Sequence, residues 1–239
     1  MNLELVMVSR EELLTALVNR RLIYWFLSRI CEKEVKGDFL ESLMSRDNPI
    51  LKIDESLDIP DEDIREGLNI MKRYIENAIE RDLKEVELEL AVDYANIFLG
   101  VKKKPPHPSE SVYKTGLLMQ EPYDEVLYAY WDAGVTIVKE EFKEPADHVA
   151  VELQFMSYLC RKAQEALEKN DRENLLKYLK MQKDFMEKHL IQWIPQLARD
   201  IQESGDTDFY KGFGKILGKY ILHDREAIDL LVEEAESLR

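Results

Sequence analysis

Glycine and proline are scarce here, nine and eight in 239 residues, so long stretches of helix-forming residues run uninterrupted, and no β-branched run alternates as a strand would. Cysteine is nearly absent. Cys31 and Cys160 stand apart in apolar surroundings without a CxxC spacing, which points to buried free thiols, with a bridge between them as the alternative. Positive charge is in deficit: 33 Lys and Arg face 48 Asp and Glu, a net charge of −15. Such a chain repels phosphates, which excludes non-specific nucleic-acid binding and suits a cationic partner; a solvated acidic surface is the plain alternative. The longest obvious apolar run, LIYWFL at 22–27, falls far short of the ~18 residues that span a bilayer, so membrane insertion is not expected. The opening MNLELVMVSREELL lacks the basic start, apolar run and small-residue cleavage site of an export signal, so the expected location is the cytoplasm.

What is present reads as helix. The expected fold is all-α, a single-domain helical bundle of about eight to ten helices over residues 1–239, with no repeat or linker. Ser9 and Glu12 form a capping box, and Leu13, Leu14, Leu17, Val18, Leu22 and Trp25 follow at helical spacing, predicting a first helix to about Glu34. Asn48–Pro49 and Ile59–Pro60 break the segment 37–60 into short pieces. Asp61 opens the next helix, and another runs from about Val86 to Leu99 with Gly100 ending it. The Pro-rich segment VKKKPPHPSESVY, 101–113, is expected to be a flexible loop. Further helices are expected at 121–140, 145–169, 172–203 (kinked at Pro195 unless tertiary contacts place a break there), 207–221 and 224–237.

The polar cluster in EPADHVAVELQFM, 144–156, is the most informative stretch. Pro145 suits a first helical position, and Glu144 and Asp147 put negative charge where a helix start favours it. His148 has no such reason to be there. Four residues on, Glu152 shares its helix face, in line with Phe155 and Leu159, as in a pocket wall. A metal site lacks ligands beyond His148 and Glu152. Acid–base catalysis by Asp147 and His148 lacks a nucleophile motif. A structural cap, and a binding site in which Asp147 and Glu152 meet cationic groups beside aromatic side chains, both remain.

Glu144, Pro145, Asp147 and His148, followed by Glu152, Leu153, Phe155 and Met156, resemble the signature of the TorD/DmsD/NarJ family, the maturation chaperones of molybdenum-cofactor redox enzymes. YANIFLG at 94–100, PPHPSESVY at 105–113, HLIQWIPQLARDI at 189–201 and FYKGFGKILGKYI at 209–221 are similar to further family stretches, so the likeness spans roughly 90–221. The resemblance implies a non-enzymatic cytoplasmic chaperone without cofactor or metal. It would bind the twin-arginine signal peptide of a molybdenum-cofactor oxidoreductase precursor, delay export and assist cofactor insertion and assembly. The peptide-binding residues it implies are Asp147, His148, Glu144, Pro145, Glu152, Tyr94, Phe98, Pro105 and Pro106, with Tyr94 and Phe98 as core residues the competing reading. A NarJ-like scaffold that binds the catalytic subunit without proofreading a signal peptide is the alternative function, and a homodimer is compatible with either. His107 and Pro108 stand where many relatives carry an aromatic residue, and nothing resembles GxxxxGK[ST], so no nucleotide is expected.

Overall fold

The structure, a computed structural model, describes residues 9–52, 61–100, 106–136 and 144–238. The described residues form ten α-helices and no strand beyond one isolated bridge, an all-α bundle as expected. The capping box forms: the Glu12 N–H donates to Ser9 Oγ at 3.2 Å and the Ser9 N–H to Glu12 Oε2 at 2.6 Å, opening α1 (Arg10–Glu32). After α2 (Gly37–Met44) and a 3₁₀ turn (Pro49–Lys52), Asp61 caps α3 (Glu62–Ala78) and Asp82 caps α4 (Leu83–Phe98). Gly100, at φ 75°, ends α4 in the left-handed region.

Four expected boundaries move. Segment 101–113 is not loop throughout, because α5 (Glu110–Thr115) starts two residues past Pro108; residues 101–105 lie outside the described residues. Helix α6 (Glu121–Asp132) stops well before 140, since Gly134 adopts φ 73°. Helix α7 (Val149–Glu168) starts at Val149, not at Pro145. The expected separate helices 207–221 and 224–237 are one, α10 (Asp208–Ser237); nothing between them breaks a helix, and Asp224 is held inside it by a buried ion pair.

Between α8 (Arg172–Phe185) and α9 (Ile191–Ser204) the chain makes a π turn, Met186–Leu190. Pro195 sits in the first turns of α9, where it can donate no N–H. The irregularity therefore falls just upstream of the proline, and it turns His189 and Trp193 inward, where both are buried.

Helix α1 packs along α7, and α10 along α3 and α9. Glycine permits the closest approach: a Cβ on Gly212 would stand 2.7 Å from the Gly67 carbonyl oxygen, and one on Gly214 2.8 Å from that of Ala198. Backbone contact across α3, α9 and α10 offsets the ~1 kcal/mol that each mid-helix glycine costs relative to alanine.

One buried network crosses the bundle. Arg20 of α1 forms a fork with Asp224 of α10, Nε to Oδ1 at 2.6 Å and Nη2 to Oδ2 at 2.9 Å, while its Nη1 donates to Gln182 of α8 at 2.5 Å. The Tyr24 hydroxyl donates to the same carboxylate at 2.6 Å. Both cysteines are buried free thiols rather than a disulfide. Burial raises the pKa of each, that of Cys160 to about 12, which leaves them protonated and unreactive.

Candidate functional site

The segment before α7 does not cap α7 with its acid; it caps a different helix. Ser109 precedes α5 without making a side-chain cap. Instead the Ser111 N–H donates to Asp147 Oδ2 at 2.9 Å, and the Glu110 N–H to the Asp147 carbonyl oxygen at 2.9 Å. The Val149 N–H donates to the Pro108 carbonyl at 2.8 Å, and Ser109 and His148 pair in the isolated antiparallel bridge. Residues 108–111 are thus stitched to 147–149, and the Asp147 side chain serves the Ser111 amide, one of the first N–H groups of α5 that no intrahelical carbonyl reaches.

His148 caps α7 with its own ring: Nδ1 accepts the Ala150 N–H at 3.1 Å. The ring proton therefore sits on Nε2, 3.9 Å from Glu144 Oε2 and too far for a direct hydrogen bond. Burial, and next the nearby His107, push the His148 pKa down to about 3, so the ring is neutral and can accept. Pro145 lies upstream of the helix, where its carbonyl receives the His148 N–H at 3.0 Å.

Glu152 points into the interior from the first turn of α7, and its Oε2 accepts the Trp193 indole N–H at 3.0 Å. Burial above all, and then the nearby Glu110 carboxyl group, raise its pKa well above the usual carboxylate range. Glu110 also meets His189 Nδ1 at 2.9 Å and forms an ion pair with Lys114 at 2.5 Å. Behind this polar layer lie Tyr130, Phe155 and Phe185, with ring centroids 4.5 Å and 4.9 Å from that of Phe155. Tyr130 donates its hydroxyl to the Ala146 carbonyl at 2.9 Å.

Of the residues expected from sequence, Asp147, His148 and Glu152 come together, and all three are buried. Glu144 keeps 44% of its side chain exposed, Pro145 is half-buried and Pro106 is buried; Pro105 lies outside the described residues. Tyr94 and Phe98 sit elsewhere, in the core: their rings are 4.9 Å apart, the Tyr94 hydroxyl donates to the Cys31 carbonyl at 3.2 Å, and Phe98 packs on Tyr210.

Sequence reasoning missed Glu110, Ser111, His189 and Trp193 as partners of this cluster. The available signal was that PPHPSESVY and HLIQWIPQLARDI accompany EPADH in one chain. No group of three or more His, Cys, Asp and Glu suited to a metal ion occurs among the described residues. The cluster latches one segment onto a helix.

The chain matches the nitrate reductase delta subunit family over residues 60–199, a range from α3 to α9 that includes every partner in this clasp. It is also 30% identical to the chaperone protein TorD of Photobacterium profundum over 222 residues, 89% of this chain and 94% of that protein. It is 31% identical to the chaperone protein TorD of Vibrio parahaemolyticus over 202 residues, 82% of this chain and 87% of that protein. The chain belongs to the TorD/NarJ family. Within that family its assignment is a chaperone rather than an enzyme. No described helix is long and apolar enough to cross a membrane.

Proposed function

We propose that this protein is a cytoplasmic maturation chaperone that binds the twin-arginine signal peptide of a molybdenum-cofactor oxidoreductase precursor, delays its export and assists cofactor insertion. The observation that carries this reading is the likeness to TorD chaperones along 89% of the chain. A net charge of −15 complements a peptide with a cationic start. In the proposed peptide-binding set, Glu144 and Pro145 offer accessible contacts. Asp147, His148 and Glu152 hold the wall behind them, and Tyr94, Phe98, Pro105 and Pro106 belong to the set by the family likeness, Tyr94 and Phe98 from the core.

A second reading is favoured by the match to the nitrate reductase delta subunit family: assembly of a catalytic subunit without recognition of a signal peptide. One experiment separates the two. Binding of a precursor is measured by calorimetry with its signal peptide intact, with the two arginines changed to lysine, and with the peptide removed. Micromolar or tighter binding, about −8 kcal/mol or better, that is lost in the latter two forms is the expected result. Equal binding of all three forms would transfer the function to the scaffold reading.

A further inference from the structure

Helix α4 presents two different faces. Tyr94 and Phe98 enter the core, whereas Leu88, Val92 and Leu99 stand 66%, 53% and 62% exposed. With Ala95 they follow the spacing i, i+4, i+7, i+11, one continuous apolar stripe on a helix surface. Leu88 and Val92 form one side of a groove of about 590 Å³, whose other walls come from α3 and from the start of α10. Tyr74 lines it from α3, with its hydroxyl held by Glu89 at 2.6 Å.

The rest of the lining is polar, with Asn77 and Thr207 beside five acidic residues, Glu85, Glu89, Asp93, Asp206 and Asp208. Glu85, Asp206 and Asp208 are exposed at its edge, and no Lys or Arg is among the described residues that line it. The walls are fixed relative to each other, because Asp93 of α4 accepts the Asp206 and Thr207 N–H groups at 2.9 and 2.8 Å and the Thr207 hydroxyl at 2.6 Å.

We infer that this groove is a docking site for a cationic segment bearing apolar side chains, a second contact for the signal peptide; the identity of the occupant rests on the function proposed above. Charge complementarity selects it: the apolar stripe would cover the peptide's apolar run while the acidic edge meets its arginines. A second copy of this chain is disfavoured, since a symmetric contact would set Glu85, Asp206 and Asp208 against their own like charges on a protein of net charge −15.

The test is calorimetry of the unaltered chain and of Leu88→Lys/Val92→Lys with a synthetic peptide carrying two adjacent arginines followed by an apolar run. Both positions are exposed, so the thermal midpoint should hold while affinity falls at least tenfold. In parallel, a photo-crosslinking residue at 92, in an otherwise native chain, should capture the peptide, and one at Leu230, which is more exposed at 63%, should not. If the unaltered chain binds no peptide, the signal-peptide reading fails and the assignment of the groove fails with it. If it binds and the double variant binds equally well, or crosslinking at 92 is no stronger than at 230, the groove assignment alone is overturned.

Discussion

The carboxylate of Asp147, two residues ahead of α7, accepts the Ser111 N–H at 2.9 Å at the start of α5. The acid that reads in sequence as the opening anion of its own helix is the cap of another, and it anchors the 106–111 segment to the bundle. Asp147→Ala should therefore cost ~1–3 kcal/mol, leaving a buried amide without its acceptor. Asp147→Asn, which keeps an oxygen there, should cost less than ~1 kcal/mol. Urea denaturation measures both, and hydrogen exchange should quicken first at Ser111 and Glu110 in the alanine variant.

His148 makes stability sensitive to acid. Its pKa is about 3 in the folded protein against 6.5 ordinarily, so the unfolded chain takes up the proton first. Its contribution is complete above about pH 6.5 and declines by ~1.4 kcal/mol per pH unit as pH falls from there toward 3. His148→Asn keeps a good capping group and cannot titrate. The difference in unfolding free energy between the two proteins should grow in the variant's favour from pH 6.5 to 4.5; a constant difference would show that the ring is protonated in place.

Glu152 carries the opposite sign. Its folded pKa lies well above the usual 4.5, so the native state retains a proton that the unfolded state loses, and stability declines by ~1.4 kcal/mol per unit as pH rises above 4.5 toward the folded value. Glu152→Gln preserves an acceptor for the Trp193 indole and needs no proton. It should be more stable than the native chain at pH 7, with the gain shrinking toward pH 4.5, as followed by thermal denaturation across that range.

Arg20 and Asp224, 204 residues apart, test how the bundle is tied. Asp224→Ala should cost ~3–5 kcal/mol, because it strands a buried guanidinium. Arg20→Met combined with Asp224→Leu should cost much less than the two single changes together. Denaturant midpoints of the three variants complete the cycle.

Phe98→Ala should lower stability by ~3–5 kcal/mol, as a core truncation does. Its folded fraction, measured at low temperature, should bind the twin-arginine peptide with unaltered affinity if the ring is only a core element. A loss of affinity would give Phe98 a direct part in the peptide site.

Sequence by itself determined the helical class and the local starts and stops. The Ser9–Glu12 box, the Asp61 cap and the Gly100 stop depend on residues within one turn of each other, and their physics is the same in any tertiary setting. The EPxDH stretch and its companions also made the family legible. What sequence could not decide is which groups far apart in the chain become neighbours. A carboxylate four residues from a histidine reads as a shared helix face, but packing set Asp147 against α5, Glu152 against Glu110 and Trp193, and Asp224 against Arg20. Those contacts also reversed one local expectation, holding a continuous α10 through residue 224, and the break expected near Pro195 falls as a π turn ahead of it. Burial is a property of the assembled bundle, and it above all lowers the pKa of His148, raises that of Glu152, and sets Tyr94 and Phe98 in the core while Leu88 and Val92 remain uncovered.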